Sequence, residues 1–206
     1  ALPPVLAQLV DHDGFQQELS KFKEVSGRAS GKLHLGDTLD KIITRVDVRD
    51  MQLETKYDRL PETVFIDKGA LHVGPKKVTW KKVKGRTGQQ EIINTNGNVA
   101  WQTEEILLNV EKIQGRRDGE SFYAMLEQTG IMPEKIKTSL SSLQGNIDVT
   151  EGSLTGPALE PEAWKYELAT KTNGLTFTTP LLPEPVTIKE SSATVGDKEI
   201  SLQHAE

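Results

Sequence analysis

Histidine is the first residue type to consider, because it serves both as a metal ligand and as a general acid or base near neutral pH. The sequence has four histidines, and Asp11-His12-Asp13 places one of them between two carboxylates. That tripeptide coincides with a break in an apolar pattern, where Asp commonly caps a turn. His34 and His72 fall on or near the charged positions of alternating segments, which indicates exposed surface. The histidines therefore predict no metal site.

The sequence motifs of common enzyme classes are absent as well. There is no His-Glu-x-x-His, Gly-x-Ser-x-Gly or dinucleotide-binding pattern, and Gly85-Arg86-Thr87-Gly88 lacks the Gly-Lys-Ser/Thr ending of a phosphate-binding loop. The chain contains no cysteine, which excludes disulfides, a thiol nucleophile and thiolate metal ligands. We therefore predict a protein that is not an enzyme and has no cofactor.

A run of basic residues is the strongest charged feature. Six cations lie within residues 76–86 with no acid among them, in a chain whose net charge is 25 − 30 = −5. Such a run attracts anionic lipid head groups, at about 1 kcal/mol per residue near a charged membrane. Nucleic acid is disfavoured, because Trp80 alone offers a ring for stacking and the whole chain is acidic. A solvated face or a lysine-protected sheet edge is the alternative. The six residues are Lys76, Lys77, Lys81, Lys82, Lys84 and Arg86.

Alternation of apolar and polar residues predicts that most of these side chains lie on strands. Apolar residues make up only 35% of the chain, which fits strands with one dry and one wet face. Segments 4–25 and 120–143 instead show the 3.6-residue period of short helices, each broken once. Gly27 and Gly145, which follow them, are predicted at helix C-termini. The alternating segments, separated by turn residues, include 42–48, 71–73, 78–80, 99–101 and 106–110.

The sequence also repeats itself at a shift of 122 residues. Leu60–Ile66 aligns with Leu182–Ile188, and nine of the 24 positions from 53 to 76 are identical to their counterparts. A shift of about 118 places the first helical segment over the second. We therefore predict a mainly β fold with short helices, built from two units at 1–115 and 116–206, the second of them cut short. The two antiparallel β-meanders would form a curved, groove-like or solenoidal sheet, with a duplicated sandwich or barrel as the alternative.

Several of these stretches resemble the AsmA-like proteins of diderm bacteria. The resemblance rests on residues 53–73 and their recurrence at 182–195, on 83–90 with 97–101, and on 145–149 with Gly156-Pro157 and Trp164. It implies a periplasmic segment of a large protein anchored in the inner membrane, whose repeated β units form a groove that binds or conducts phospholipid. The implied role is lipid transport in outer-membrane homeostasis or assembly, with other envelope proteins as further partners.

The ends of the chain fit that interpretation. It begins Ala1-Leu2-Pro3-Pro4, with neither an initiator Met nor a signal peptide, and has no apolar stretch long enough for a membrane anchor. We therefore expect an interior piece of a longer protein, whose other parts would make the membrane contact.

Within such a groove, apolar residues of alternating parity would contact acyl chains, each buried methylene contributing about 0.8 kcal/mol. Two alternatives stay open. The same side chains could form an ordinary core under the helices, or the repeat could be a non-enzymatic scaffold or protein-interaction module of the envelope. The predicted lipid-facing residues are Val46, Val48, Leu53, Val64, Ile66, Leu71, Val73, Val78, Trp80, Leu168, Leu175, Phe177, Val186, Ile188 and Val195.

Overall fold

The computed structural model describes residues 13–34, 45–101, 105–129, 134–197 and 199–205. Within them, ten strands dominate and the helices are short. The helices are α1 (Asp13–Leu19), α2 (Gly119–Thr129) and α3 (Glu134–Ser139), with a 3-10 turn at Pro161–Ala163. The strands are β1 (Phe22–His34), β2 (Arg45–Tyr57), β3 (Val64–Gly74), β4 (Lys77–Thr87), β5 (Gln90–Trp101), β6 (Ile106–Asp118), β7 (Ser142–Pro157), β8 (Lys165–Thr178), β9 (Val186–Gly196) and β10 (Ile200–Ala205).

All ten strands belong to one sheet, in which each strand pairs antiparallel with the next, in the order β1 to β10. The predicted mainly β fold with short helices is confirmed, as a single antiparallel meander. The sheet is open, because β1 and β10 stand at its two edges in the described part of the chain. This arrangement fits a groove-like sheet and excludes the closed barrel.

The helix predicted over residues 4–25 is wrong at its C-terminal end. α1 stops at Leu19, and β1 begins at Phe22, whose ring stacks on Tyr57 of β2 with centroids 4.5 Å apart. Cross-strand pairing therefore outweighs the helical period in this segment. In the second predicted segment, α2 and α3 cover 119–129 and 134–139, and β7 takes over at Ser142. Residues 1–12 and the predicted strand positions 42–44 lie outside the described residues.

Gly27 and Gly145 do not end helices, so that prediction is also wrong. They lie inside β1 and β7, with φ of 131° and 105°. A Cβ on Gly27 would overlap the carbonyl oxygen of Gln52, and one on Gly145 would overlap that of Gly174. Both strands need glycine here, because the φ is positive and the neighbouring backbone passes too close for a side chain.

The 122-residue shift also relates positions in the sheet. β3 and β9 differ by that shift at both ends. The predicted boundary between residues 115 and 116 falls inside β6, so the two predicted units share one continuous sheet. Pairs that occupy equivalent register positions are Val46–Val73 and Leu168–Val195, Leu53–Ile66 and Leu175–Ile188, and Thr55–Val64 and Phe177–Val186.

Several strands switch the parity of their buried positions near the middle. In β2, Val48 and Met51 are both buried although they are three residues apart, and Asp50 between them has a φ of 51°. β4 switches at Lys82, which has the same φ. The register between neighbouring strands is interrupted at comparable places. Because bulges bend and twist the strands that carry them, we infer that the sheet bends across its middle.

The contacts of α1 indicate the same bend. Phe15 packs on Trp101, with ring centroids 4.9 Å apart, and Leu19 packs against the same cluster. Glu18, one turn away, hydrogen-bonds to Tyr57. Tyr57 and Trp101 end β2 and β5 at opposite ends of these strands, yet α1 is only about 10 Å long. The open sheet must therefore curve around α1, which makes the face that α1 contacts concave.

Candidate functional site

The concave side of the sheet, which α1 contacts, carries most of the buried apolar side chains, and we call it the apolar face. Its side chains form rows, because paired residues of adjacent antiparallel strands point to the same side. One row crosses β2 to β6, and a second crosses β2 to β8. The first is Val46, Val73, Val78, Val99 and Leu108, and the second is Val48, Leu71, Trp80, Gly97, Val110, Leu154 and Tyr166.

The nine predicted lipid-facing residues of the first unit all lie on the apolar face. Eight of them join two buried clusters, one beneath α1 and the other at the bend of the strands. The ninth, Val64, is half-buried. The buried members of the first cluster are Phe15, Val73, Val78, Trp101 and Ile106, and those of the second are Val48, Met51 and Val83.

α1 fills part of the concave face. Val73 is only 1% exposed and Val78 only 7%, in a cluster that includes Phe15 and Leu19. These side chains are ordinary protein core in this arrangement, which is what one alternative interpretation of the sequence expected. They would reach a lipid only if α1 moved away.

The six predicted residues of the second unit are more accessible. All six are half-buried, and none of them belongs to the two buried clusters of the described chain. They form three cross-strand pairs between β8 and β9, so apolar surface stays open at the end of the face that α1 does not fill. The pairs are Leu168–Val195, Leu175–Ile188 and Phe177–Val186.

A polar cluster fixes the position of α1. Glu18 accepts hydrogen bonds from Lys21 at 2.7 Å, from Arg59 at 3.0 Å and from the hydroxyl of Tyr57. Burial opposes the charge on Glu18, but the hydrogen bonds from Lys21 and Tyr57 and the charge of Arg59 outweigh it, so the pKa of Glu18 lies below its usual value. Burial and the contact with Glu18 raise the pKa of Tyr57. The ionised carboxylate of Glu18 therefore holds α1 against the end of β2.

Polar side chains also interrupt the apolar face, and Gln90 is the most enclosed of them. Gln90 is 3% exposed, and its Nε2 donates to the carbonyl oxygen of Asp118 at 3.2 Å. Its Oε1 is buried and has no hydrogen-bond partner among the described residues. Thr170, by contrast, satisfies its hydroxyl by donating to the carbonyl oxygen of Ala193 at 3.1 Å. Gln90 is thus an acceptor without a donor in a position where native proteins rarely leave one.

Arg117 places a guanidinium on the apolar face. It pairs across the ladder with Ile147, and its Nη1 lies 3.3 Å from where a Cβ on Gly115 would be. Nη1 donates to the carbonyl oxygen of Glu91 at 2.8 Å. Arg117 is half-buried, and this burial lowers the pKa of its guanidinium.

Reasoning from the sequence missed Met51, Val83, Gln90 and Arg117. The parity switches hide them, because a strict period of two places Met51 and Val83 on the solvent side. The odd spacing of apolar residues in β2 and β4 could have revealed the buried positions of these strands, because a bulge inserts one extra residue and so changes which positions face inwards.

The six cations of residues 76–86, which we call the basic surface, are all exposed. β4 lies between β3 and β5, so the interpretation of these lysines as protection of a sheet edge is wrong. Lys84 pairs directly with Lys68, a further cation, and the guanidinium of Arg86 lies 4.4 Å from the ring centre of Phe65. In the described part of the chain, none of the six makes an ion pair.

Two of the histidines meet one carboxylate on the exposed side. His72 lies 2.7 Å and His34 3.5 Å from Asp47, and the hydrogen bond with His72 lowers the pKa of Asp47. Across the described residues, no group of three or more His, Asp or Glu side chains is arranged to hold a metal ion. Asp11 and His12 lie outside the described residues.

No protein-family model, curated protein sequence or solved structure matches the chain. Within the residues that the structure describes, no helix has the length and apolar character needed to cross a membrane. The AsmA-like resemblance therefore stays a prediction, and the function must be inferred from the apolar face and the basic surface.

Proposed function

We propose that the chain is a lipid-binding segment of a groove-forming envelope protein and holds phospholipid acyl chains on its apolar face. One observation carries this proposal: the apolar face continues through an open sheet, but α1 fills it only at the end around Val73 and Val78. The three apolar pairs between β8 and β9 stay half-buried. An acyl chain laid along these pairs would gain about 0.8 kcal/mol for each methylene removed from water.

The open shape of the groove suits an amphiphile. Apolar side chains on the concave side can cover the acyl chains, while the open side lets a charged head group stay in water. This arrangement avoids the cost of burying a charge without a partner. Binding would therefore need neither a closed pocket nor a catalytic group.

In the wider proposal, the segment is part of an AsmA-like protein that is anchored in the inner membrane and extends through the periplasm. Phospholipid would pass along consecutive β units towards the outer membrane and support its assembly. The repeat of equivalent register positions across β2–β3 and β8–β9 supports a surface that continues from unit to unit.

Site-specific photo-crosslinking in cells tests the binding surface. A crosslinking residue at Val186 or Ile188 is expected to capture phospholipid, because both side chains lie on the apolar face. Thr187 and Lys189 are matched controls on the same strand, and both are exposed on the opposite side. Equal lipid labelling at all four positions, or none at Val186 and Ile188, would contradict the proposal.

A second candidate function is a protein-interaction scaffold. The burial of Val73 and Val78 beneath α1 favours it, because a groove filled by helices presents little surface to lipid. The same crosslinkers at Val186 and Ile188 would then yield a discrete protein adduct and no lipid adduct.

A further inference from the structure

Arg117 has unused hydrogen-bonding capacity two residues before the start of α2. Its guanidinium carries five N–H donors, and the structure pairs Nη1 with the carbonyl oxygens of Glu91 at 2.8 Å and Arg116 at 3.4 Å. No ion pair in the described part of the chain includes Arg117. The planar fork of a guanidinium matches a phosphate or carboxylate, and a partly buried cation gains most from such a partner.

The surroundings of Arg117 are apolar on the side of β7. Its ladder partner Ile147 is 8% exposed, and Val149, two residues further along the same face, is 5% exposed. Gly115 has no side chain, and the guanidinium of Arg117 lies next to the space that this leaves. Since both side chains are already buried, an anion bound by Arg117 would sit beside packed apolar side chains, and the half-buried apolar pairs begin on β8, two strands away.

Gln90 supplies a second polar group next to Arg117. Glu91 pairs with Arg116, so Gln90 lies opposite Arg117 on the adjacent strand. Gln90 also lines a cavity of about 260 Å³ between α2 and the turns that follow β2 and β4. Because its buried Oε1 has no hydrogen-bond partner among the described residues, a group bound to it would have to carry an N–H or O–H donor.

The other residues that line this cavity also favour a group that carries a hydrogen-bond donor. Its lining combines apolar side chains with the carboxylates of Glu62 and Glu120. Carboxylates repel a phosphate and attract an amine or a hydroxyl. The two neighbouring positions are therefore complementary: Arg117 suits the anionic part of a head group, and the Gln90 cavity suits its donor-bearing part.

We propose that Arg117 and Gln90 together bind the head group of a phosphate-bearing amphiphile whose head group also carries an amine or a hydroxyl. The phosphate contacts the guanidinium of Arg117, and the amine or hydroxyl donates to Oε1 of Gln90. This inference rests on the proposed function, because the acyl chains of the same molecule would lie on the half-buried apolar pairs between β8 and β9.

Calorimetric titration with short-chain lipids tests this assignment. The probes are dihexanoyl phosphatidylethanolamine, dihexanoyl phosphatidic acid and dihexanoylglycerol, which share their acyl chains and differ only in the head group. Arg117→Gln is expected to weaken binding of the two phosphate-bearing lipids roughly tenfold or more, and to leave dihexanoylglycerol unchanged. Gln90→Leu is expected to weaken phosphatidylethanolamine more than phosphatidic acid, which lacks the amine.

Arg116→Gln is the matched control, because Arg116 lies on the opposite face and contacts Asp148 at 3.1 Å. It is expected to bind all three lipids as the unmodified protein does. The head-group assignment would be overturned if Arg117→Gln left the binding of all three lipids unchanged, or weakened it equally for all three. Either result would leave the proposed function standing. Failure of every lipid to bind the unmodified protein would overturn both.

Two further measurements separate other roles of Arg117. Inorganic phosphate is expected to bind much more weakly than phosphatidylethanolamine, and equal affinity would mean that the site takes free phosphate and not a lipid. Without lipid, Arg117→Met is expected to be at least as stable to heat as the unmodified protein, because it removes a charge that has no counter-ion in the described part of the chain. A clear loss of thermal stability would assign Arg117 a structural role and overturn the inference.

Discussion

Glu18 is the carboxylate whose ionisation most directly controls the docking of α1. Its pKa is lowered in the folded protein by Lys21, Tyr57 and Arg59, so the stability that it provides is present above its ordinary pKa of 4.5 and is lost as the pH falls through the lowered value. Glu18→Gln is therefore expected to lower the thermal unfolding midpoint at pH 7. The midpoints of the variant and the unmodified protein should converge as the pH falls from 5 towards 3.

Thermal scans across this pH range check the expectation. Glu54→Gln provides the control, because Glu54 is an exposed carboxylate on β2. A Glu18→Gln variant whose midpoint stays below that of the unmodified protein by a constant amount at every pH would contradict the role of the Glu18 charge.

At the scale of single residues, the sequence identified the apolar positions better than the polar ones. Val78 and Trp80 could be assigned to one face because alternation is a property of any strand. Arg116 and Arg117 are adjacent and chemically identical, and the parity switch in β6 decides which of them faces inwards. That switch depends on the register of β6 with β5 and β7. The alternation of apolar and polar residues in the sequence carries no information about this register.

At the scale of elements, Gly27 tests whether the bulges in the strands fix the register. Gly27→Ala is expected to lower the free energy of unfolding by about 1–3 kcal/mol, because it strains a left-handed φ and pushes a methyl group into the backbone of β2. Gly174→Ala is the control: its φ is 68°, but no atom lies within 4 Å of a Cβ there. Chemical denaturation should show a clearly larger loss for Gly27→Ala, and equal losses would contradict the close approach of β1 and β2.

The basic surface on β4 predicts an interaction with anionic membranes. The direct pairing of Lys68 with Lys84 is destabilising unless an anion lies nearby. Replacing Lys81, Lys82 and Lys84 by Glu is expected to weaken binding to vesicles that contain phosphatidylglycerol. The free energy of binding should fall by about 1 kcal/mol for each lost cation. Vesicle co-sedimentation measures this effect, and raised salt should weaken binding by the unmodified protein.

The control for that experiment replaces Lys171 and Lys189, two exposed lysines of β8 and β9, by Glu. Unchanged vesicle binding by the triple variant of β4, or the same loss in the β8 and β9 variant, would show that the basic surface has no specific role.

The elements themselves were only partly predictable. β3 and β9 could be recognised because their shared residues carry both the alternation and the 122-residue shift. Only the first residues of β1, up to Val25, were assigned to a helix, because Phe22 and Val25 continue the period of α1. Pairing with β2 decides their conformation instead. A curved sheet was predicted, but the place of its bend was not, because the bend arises from bulges that interrupt the register of several strands at once.

At the scale of the whole molecule, the open sheet determines what the protein can do. A closed barrel with this composition would have a filled interior, whereas an open sheet leaves an apolar face that something must cover. α1 covers one end of that face, and in the proposed function the half-buried pairs between β8 and β9 hold an acyl chain. The low content of apolar residues follows from the same architecture, because each strand has only one dry side.

Native mass spectrometry of the protein, expressed in a diderm bacterium and purified without detergent, tests the central claim most directly. We predict mass increments that correspond to bound phospholipid. They should disappear when Leu168 and Ile188 on the apolar face are replaced by Glu, and persist when Thr187 and Lys189 on the opposite face are replaced instead. A bare protein mass, or equal lipid adducts in both variants, would contradict the assignment of the apolar face as a lipid-binding surface.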